Sequence, residues 1–463
     1  MPMANLSDKV DAFFRISERG STIANEVKGG LITFLAMSYI LVVNPDILYD
    51  IPSAAEYGFN ALFTATALAA IASCLLMGLY SRFPVALAPG MGVNAFLSYT
   101  ICLEMGFNYP QALLTVFLSG IMFFIMSISG WRTKIIDSIP ASMKMSITAG
   151  IGFFIAMIGL YNSGIIVHGN GSALTLGDMT DAGVLLGVFC IVATLALWSR
   201  GWWGAVIGGL VLTWAVGLAV GHVGIESTVG TIPHVETDEL LSSPDLSLLG
   251  AMFTDFDMFG SNMIVSFIAA TVSLFVVDVF DTTGTVIGVS NEAGMTRPDG
   301  SIPDIDKVFN ADSGASLIGA VFGTSTTTSY VESTTGIAAG ARTGLMPVVV
   351  SIMFILALGF SGVFATFTSA CTVGALVLVG ILMIKNVRGI DWGDPVNCAM
   401  GFLTIFMMAL TNSITNGIAF GVFAYIVGMV FSGRRENVSP TLWILGLVFF
   451  VYLALDFFII PNM

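Results

Sequence analysis

The sequence predicts an all-α polytopic membrane protein of about fourteen transmembrane segments, and three observations carry that prediction. Of 463 residues, 56% are hydrophobic and 10% charged, with a mean hydropathy of +0.91, whereas about a quarter of an ordinary globular chain is charged. Apolar runs recur along the whole length at close to the ~20 residues that cross a bilayer. Charge is confined to the connections between those runs. Arg15, Arg19 and Lys28 precede the first run, Arg132 and Lys134 follow the fourth, and Arg342, Lys385, Arg388, Arg434 and Arg435 flank later ones, whereas acids dominate the stretch 226–257. By the positive-inside rule this places the N-terminus in the cytoplasm and the acidic loop outside. The net charge of −14 excludes a nucleic-acid partner.

The N-terminal stretch MPMANLSDKVDAFFRISERGST is polar and mixed in charge, unlike a signal peptide, and residues 5 to 25 read as an amphipathic interfacial helix. Spans then read at 29–48, 60–80, 84–103, 111–130, 143–161, 182–198 and 202–221. After the acidic loop come 261–289, a hydrophilic cytoplasmic loop over 291–307, a short apolar piece at 315–322, and spans near 344–362, 372–384, 396–410, 418–431 and 442–460. A plain count gives fourteen or fifteen, with half-spans expected between 395 and 431. The five cysteines lie in apolar runs without paired spacing and read as small core residues, neither disulfides nor metal ligands.

Function is written in the exceptions. Asp278 and Asp281 sit inside VSLFVVDVFDTTGT (272–285), and Glu332 lies within GTSTTTSYVESTTG (323–336). A charge at membrane depth costs at least about 2.5–3.5 kcal/mol, so such residues face a cavity, a partner or a substrate. Two segments are poor helices. RFPVALAPGMGVNAF (82–96) carries Pro84, Pro89, Gly90 and Gly92, and GTSTTTSYVES is a run of β-branched and hydroxylated residues. Broken helices at membrane depth are tolerated only where they line a cavity. Setting APGMGVNA (88–95) on TTTSYVES (326–333) places Asn94 opposite Glu332, 238 residues apart. Interrupted spans at corresponding places in two halves point to an inverted-repeat transporter with a midplane site.

Four runs then give a specific likeness. GLITFLAMSYILVVNPDIL (30–48), ALAPGMGVNAF (86–96), VDVFDTTGTVIGV (277–289) and GTSTTTSYVESTTGIAAGARTGL (323–345) resemble, in order, the AzgA-like branch of nucleobase:cation symporter family 2, the hypoxanthine, guanine and adenine permeases. The resemblance covers essentially the whole chain. It implies a UraA-like fold of two inverted seven-segment repeats, with short strands in segments 3 and 10, split into core and gate domains. On this chain the implied division is an N-terminal segment 1–28, core 29–131, gate 132–222, external loop 223–260, core 261–365 and gate 366–463. It implies that Glu332 and Asp281 bind a purine base, with Asn94 contacting it from segment 3, Asp278 needed for transport, and Asp312 supporting the site. It also implies proton symport without a cofactor, a homodimer, and a place in the cell membrane. Asp278, where adenine-specialised members tend to carry asparagine, leans toward hypoxanthine and guanine. The usual GGRTGL is GARTGL here, which questions close packing at Ala341.

A purine is a flat ring with donors and acceptors on its edges. Carboxylates and amides can take its N–H groups, and aromatic faces can sandwich it. Asp281, Glu332 and Asn94 supply the polar groups, and Gly90 and Gly92 let backbone approach closely. Phe34, Tyr39, Phe96, Phe280 and Tyr330 are candidate stacking partners. Carboxylates gathered in a low-dielectric cavity can exchange a proton with occupancy, so one of Asp278, Asp281 and Glu332 is expected to carry the coupling ion. Bland readings stand beside these. Either aspartate can cap a broken helix, Glu332 can satisfy backbone, Asn94 can be structural, and Asp312 can be solvated at a loop edge. Asn44, before Pro45, reads as a turn residue, and the histidines as surface residues. Two rival functions compete with this reading. An intramembrane aspartyl protease needs acids from different helices sharing a proton, and an anion permease or channel on the same fold would favour cationic linings.

Overall fold

In the computed structural model, residues 6–458 are described apart from 130–138, 170–173, 203, 226, 228–231, 235–240, 257–262, 293–294, 296–301, 303 and 412. Arg132, Lys134, the Phe280 side chain, and most of the acidic-loop tip and of the 291–307 loop therefore lie outside the described residues.

The first half runs α1 (Leu6–Phe14), α2 (Ile23–Met37), α3 (Ile40–Tyr49), α4 (Gly58–Leu76), β1 (Leu87–Pro89), α5 (Met91–Ala95), α6 (Tyr109–Ile128), α7 (Ala141–Asn162), α8 (Ala182–Ser199) and α9 (Ala205–His222). A small hairpin, β2 (Ile166–Val167) with β3 (Thr175–Leu176), joins α7 to α8. The second half runs α10 (Ile264–Glu292), α11 (Ile305–Phe322), β4 (Thr327–Ser329), α12 (Ser333–Ala338), α13 (Leu345–Ala357), α14 (Ser369–Ile384), α15 (Pro395–Leu410) and α16 (Ile414–Phe431), followed by α17 (Pro440–Phe458). Nine helical stretches among the described residues are long and apolar enough to cross a membrane, with shorter apolar helices at 264–279, 395–410 and 440–451.

The packing repeats when the halves are exchanged. Helix α2 packs on α13 as α10 packs on α6, α4 on α13 as α11 on α6, and α8 on α14 as α15 on α7, while α4–α11 and α7–α14 pair across the centre. The strands obey the same symmetry. β1 and β4 pair antiparallel, Leu87 with Ser329, Ala88 with Thr328 and Pro89 with Thr327, so the first residue of one strand corresponds to the first of the other. That is the two-fold relation of an inverted repeat, and it fits fourteen segments in two sets of seven, with α17 additional. The register makes the offset between halves 240 residues. Gly92, not Asn94, is then the counterpart of Glu332. The offset of 238 came from matching polar residues across segments whose identity is too weak to fix a two-residue slip.

Helices must approach closely where apolar contact with lipid supplies no drive, and small residues permit it. At the central crossing of α7 and α14, a Cβ built on Gly380 would stand 2.6 Å from the Gly152 carbonyl oxygen. Ala341 is accommodated for the same reason, because its methyl fills the place where a Cβ on Gly29 would lie.

Four expectations are corrected by the fold. The N-terminal amphipathic helix covers only Leu6–Phe14 and ends at Arg15, whose φ of 57° breaks the helix. The short piece 315–322 is the end of the full 18-residue α11, whose middle hides polar residues, Asp312, Ser313 and Ser316, inside the protein. The segment between Pro395 and Phe431 contains two helices of 16 and 18 residues. Asn44 is no turn residue: it is fully buried within α3, donating to Thr66 Oγ1 at 2.7 Å and Thr324 Oγ1 at 3.0 Å, and so bonds three segments together.

Candidate substrate site

Both broken segments arise as their residues dictate. Pro89 can end a strand but cannot extend its ladder, and α5 starts directly after Gly90. Thr326 to Ser329 favour extended backbone, and α12 starts after Glu332. Two short strands thus meet in the middle of the protein, each feeding a half-helix. A Cβ on Gly90 would press to 2.7 Å from the Thr328 methyl, so glycine is what allows the strands this approach. Each isolated strand would leave its polar backbone unsatisfied in a membrane. Pairing removes part of that cost, and Gly90 N–H to Thr326 O (3.0 Å) and Tyr330 N–H to Ala86 O (3.0 Å) extend it.

Beside the strand pair lies a cavity of about 590 Å³. The first bundle, in which α2 to α6 pack with α10 to α13, contributes Tyr39, Gly90, Met91, Gly92, Asp281, Thr285 and Thr328 to Glu332. The second, formed by α7 to α9 with α14 to α16, contributes Ala141, Lys144, Met145 and Thr148 from the start of α7, and Val379, Leu382, Met383 and Asn386 from the end of α14. The two carboxylates come from different segments. Glu332 Oε1 accepts from the Tyr39 hydroxyl at 2.8 Å, which fixes the carboxylate on the cavity wall. The Tyr330 hydroxyl is turned back to the Pro89 carbonyl at 2.5 Å, locking its ring across the strand pair. Asp281 is half-buried one turn beyond Asp278 on α10.

The remaining acids stand behind this wall. Asp312 is fully buried, accepting from Ser329 Oγ at 2.6 Å and from Thr282 Oγ1 at 2.5 Å, and Thr282 in turn lies 3.0 Å from Thr328 Oγ1. Asp278, also fully buried, accepts from Ser316 Oγ at 2.8 Å, while its second oxygen has no hydrogen-bond partner among the described residues. Helices α10 and α11 are thereby bonded to β4, the strand that precedes Glu332. Asn94 is not among the residues lining the cavity. It is fully buried and accepts from the Ser325 hydroxyl, so the structure brings it to the strand rather than to the opening. Of the candidate stacking residues, Tyr39 and Tyr330 reach the cavity, whereas Phe34 packs edge-on against Phe354 and Phe96 is fully buried elsewhere.

The polar lining residues of the second bundle escaped the sequence reading: Lys144, Thr148 and Asn386. Lys144 carried a usable signal, a cation one residue inside the span read at 143–161, since an ionisable residue within a span marks a site. The cavity opens at one end of the second bundle. At the other end of α7, about 27 Å from Lys144 at 1.5 Å per residue, polar contacts tie the bundles together. There Asp50 Oδ2 accepts from the Tyr99 hydroxyl (2.5 Å) and from Asn162 Nδ2 (3.1 Å), and Asn416 Nδ2 donates to Glu104 Oε1 (3.3 Å).

An inverted repeat of membrane-crossing helices, with broken segments framing a central polar cavity open at one end, defines a membrane transport protein rather than an enzyme. A family model described as the Permease family (Xan_ur_permease) matches residues 24–433, and the chain belongs to that family. It is 39% identical over 446 residues to the guanine/hypoxanthine permease PbuG of Bacillus subtilis (strain 168), covering 95% of this chain and 98% of that one. It is 35% identical over 447 residues to the adenine permease AdeQ of Escherichia coli (strain K12), covering 96% of each. The resemblance drawn from the four motifs therefore holds. Among solved structures, the transmembrane domain of a cyanobacterium bicarbonate transporter, BicA, is similar with a TM-score of 0.58 at 14% identity, covering 88% of this chain and 96% of that one. SLC26A9 is similar with a TM-score of 0.60 at 11% identity, covering 89% and 66%. These two share the fold, which is the 14-segment inverted repeat expected from the sequence.

Proposed function

We propose that this permease imports purine nucleobases (hypoxanthine, guanine and/or adenine) by proton symport across the cell membrane, its core domain moving against its gate domain. The observation that carries the reading is the meeting of Asp281, from α10, and Glu332, from the second broken segment, in one cavity that also presents two tyrosine rings. Paired acceptors with aromatic walls suit the N–H edge of a neutral base. Relatives named as guanine/hypoxanthine and adenine permeases, covering nearly the whole chain, support the same substrate class. Asp281, Glu332, Gly92 and Tyr330 line the binding site in this reading, while Asn94, Asp278 and Asp312 hold its strand and helices in place, with Asp278 or Asp281 passing the proton. An anion substrate fits less well, because two carboxylates on one wall repel it.

The test is uptake of labelled hypoxanthine into proteoliposomes, with competition by unlabelled bases and an imposed pH gradient. Saturable uptake driven by an acidic exterior is expected, and dependence on sodium with no response to pH would remove the proton from the scheme. In the alternating-access scheme the Asp50–Tyr99–Asn162 contact must open in each cycle. A cysteine pair at Asp50 and Asn162 should therefore stop uptake when oxidised and restore it when reduced, and uptake indifferent to oxidation of a verified cross-link would refute that motion. We further infer a homodimer with a cytoplasmic N-terminus, a reading that a monomer mass in mild detergent or an external N-terminal tag would overturn.

A further inference from the structure

The two walls of the cavity have opposite hydrogen-bonding character. On the first bundle, three of the hydroxyl donors that face inward are already engaged. Tyr39 donates to Glu332, Tyr330 to the Pro89 carbonyl and Ser329 to Asp312. That wall therefore offers a ligand chiefly the acceptors of Asp281 and Glu332, with the Thr285 hydroxyl beside them. On the second bundle, Asn386 Nδ2 donates to the Met383 carbonyl at 2.8 Å, and Thr148 Oγ1 to the Lys144 carbonyl at 3.1 Å. Lys144 is the one cation among the described lining residues. Its ammonium has three N–H bonds and no acceptor, so it can meet a ligand oxygen or ring nitrogen in addition to neighbours of its own. A flat ligand between these walls meets acceptors on one edge and a donor on the other.

We propose that Lys144 is a specificity-determining residue that selects purines with an oxygen at C6 over those with an amino group there. The inference rests on the purine reading above and narrows it. A 6-oxopurine presents two acceptors side by side, O6 and N7, which suit a lysine or arginine. A 6-aminopurine presents the N7 acceptor beside an N6 donor, which suits asparagine or glutamine. With ring N–H groups on Asp281 and Glu332, hypoxanthine or guanine turns O6 and N7 toward the second bundle, where the ammonium completes the set. Adenine in the same pose sets its amino group against the ammonium, donor against donor, and both lose a partner on leaving water. Discrimination of this kind amounts to about 5- to 150-fold in affinity. The relatives do not decide the point, since both guanine/hypoxanthine and adenine permeases are among them.

The experiment measures binding of labelled hypoxanthine and labelled adenine to purified wild-type protein and to the Lys144→Gln, Lys144→Met and Lys144→Arg variants, with thermal unfolding as a check on folding. Wild type is expected to prefer hypoxanthine at least fivefold, Lys144→Arg to keep that preference, Lys144→Met to lose it, and Lys144→Gln to abolish or reverse it. An unchanged hypoxanthine-to-adenine ratio in a folded Lys144→Gln or Lys144→Met protein overturns the proposal, as does a wild-type preference for adenine. A second measurement needs no variant: 7-deazahypoxanthine, which lacks the N7 acceptor, should bind wild type at least fivefold more weakly than hypoxanthine, and equal affinity counts against Lys144. Wild type that binds no purine at all would end the purine reading and this one with it, whereas purine binding with an unaltered ratio would end this one alone.

Discussion

Glu332→Gln should lower purine affinity at least about 100-fold while leaving the protein folded, and Asp281→Asn should do the same from its neighbouring place on the same wall. Each substitution keeps the side-chain volume but turns one acceptor oxygen into a donor. A ring N–H that met a carboxylate then meets an N–H₂ group, so the bond is lost and two donors are opposed. A hydrogen bond to a charged group is worth about 1.5–3 kcal/mol, and an unmatched donor buried beside it adds a similar cost. Neither residue belongs to the fully buried Asp312 and Asp278 bonding, although Asp281 also accepts from Thr328 of β4. Glu332 accepts one bond, from Tyr39, and Asp281 lies on the cavity side of α10 rather than in the Asp312 and Asp278 bonding behind it. Tyr39→Phe gives an intermediate result, about tenfold, because Glu332 keeps its charge but loses the hydroxyl that orients it. Equilibrium binding of labelled hypoxanthine, beside thermal unfolding, reads all three. Wild-type affinity in either acid variant takes that residue out of the site.

The parts of this arrangement that were legible in the sequence are those that break a rule of the membrane. Asp278, Asp281 and Glu332 stood out because charge is costly in apolar runs, and the two broken segments because proline, glycine and a threonine run resist helix. What remained hidden depends on direction. Residues three apart on a helix differ by about 60° around the axis and about 4.5 Å along it. Spacing therefore put Asp278 and Asp281 on one side of α10 but could not say that one faces the cavity and the other faces Ser316. Asn94 was overvalued for the same reason, since it stands two residues beyond the cavity-lining Gly92 and so lies about 200° round the helix axis from it. Helix α11 was read too short because its polar residues face inward, which lowers hydropathy without shortening the span. Lys144 went unread because nothing in one sequence places the start of α7 in the same cavity wall as two acids from α10 and the second broken segment.

Asp312→Ala is expected to weaken base binding at least tenfold and to destabilise the protein, although Asp312 does not line the cavity. Its carboxylate is the acceptor for two buried hydroxyls on different elements, Thr282 on α10 and Ser329 on β4. Removing it leaves both donors unsatisfied in a site closed to water, at about 1–3 kcal/mol each, and opens a void where three elements meet. The strand then loses its bond to α11 on the side that sets the positions of Tyr330 and Glu332, and the Thr282–Thr328 contact loses its fixed end. Affinity falls because the two carboxylates no longer hold one separation, which is the sense in which a site depends on the residues behind it. Asp312→Asn keeps one acceptor oxygen and should lose less on both counts. Binding and thermal unfolding of the pair settle the matter: the alanine variant must fall below the asparagine variant in each. An alanine variant with wild-type affinity and unfolding temperature would mean that the strand is held by its backbone pairing alone.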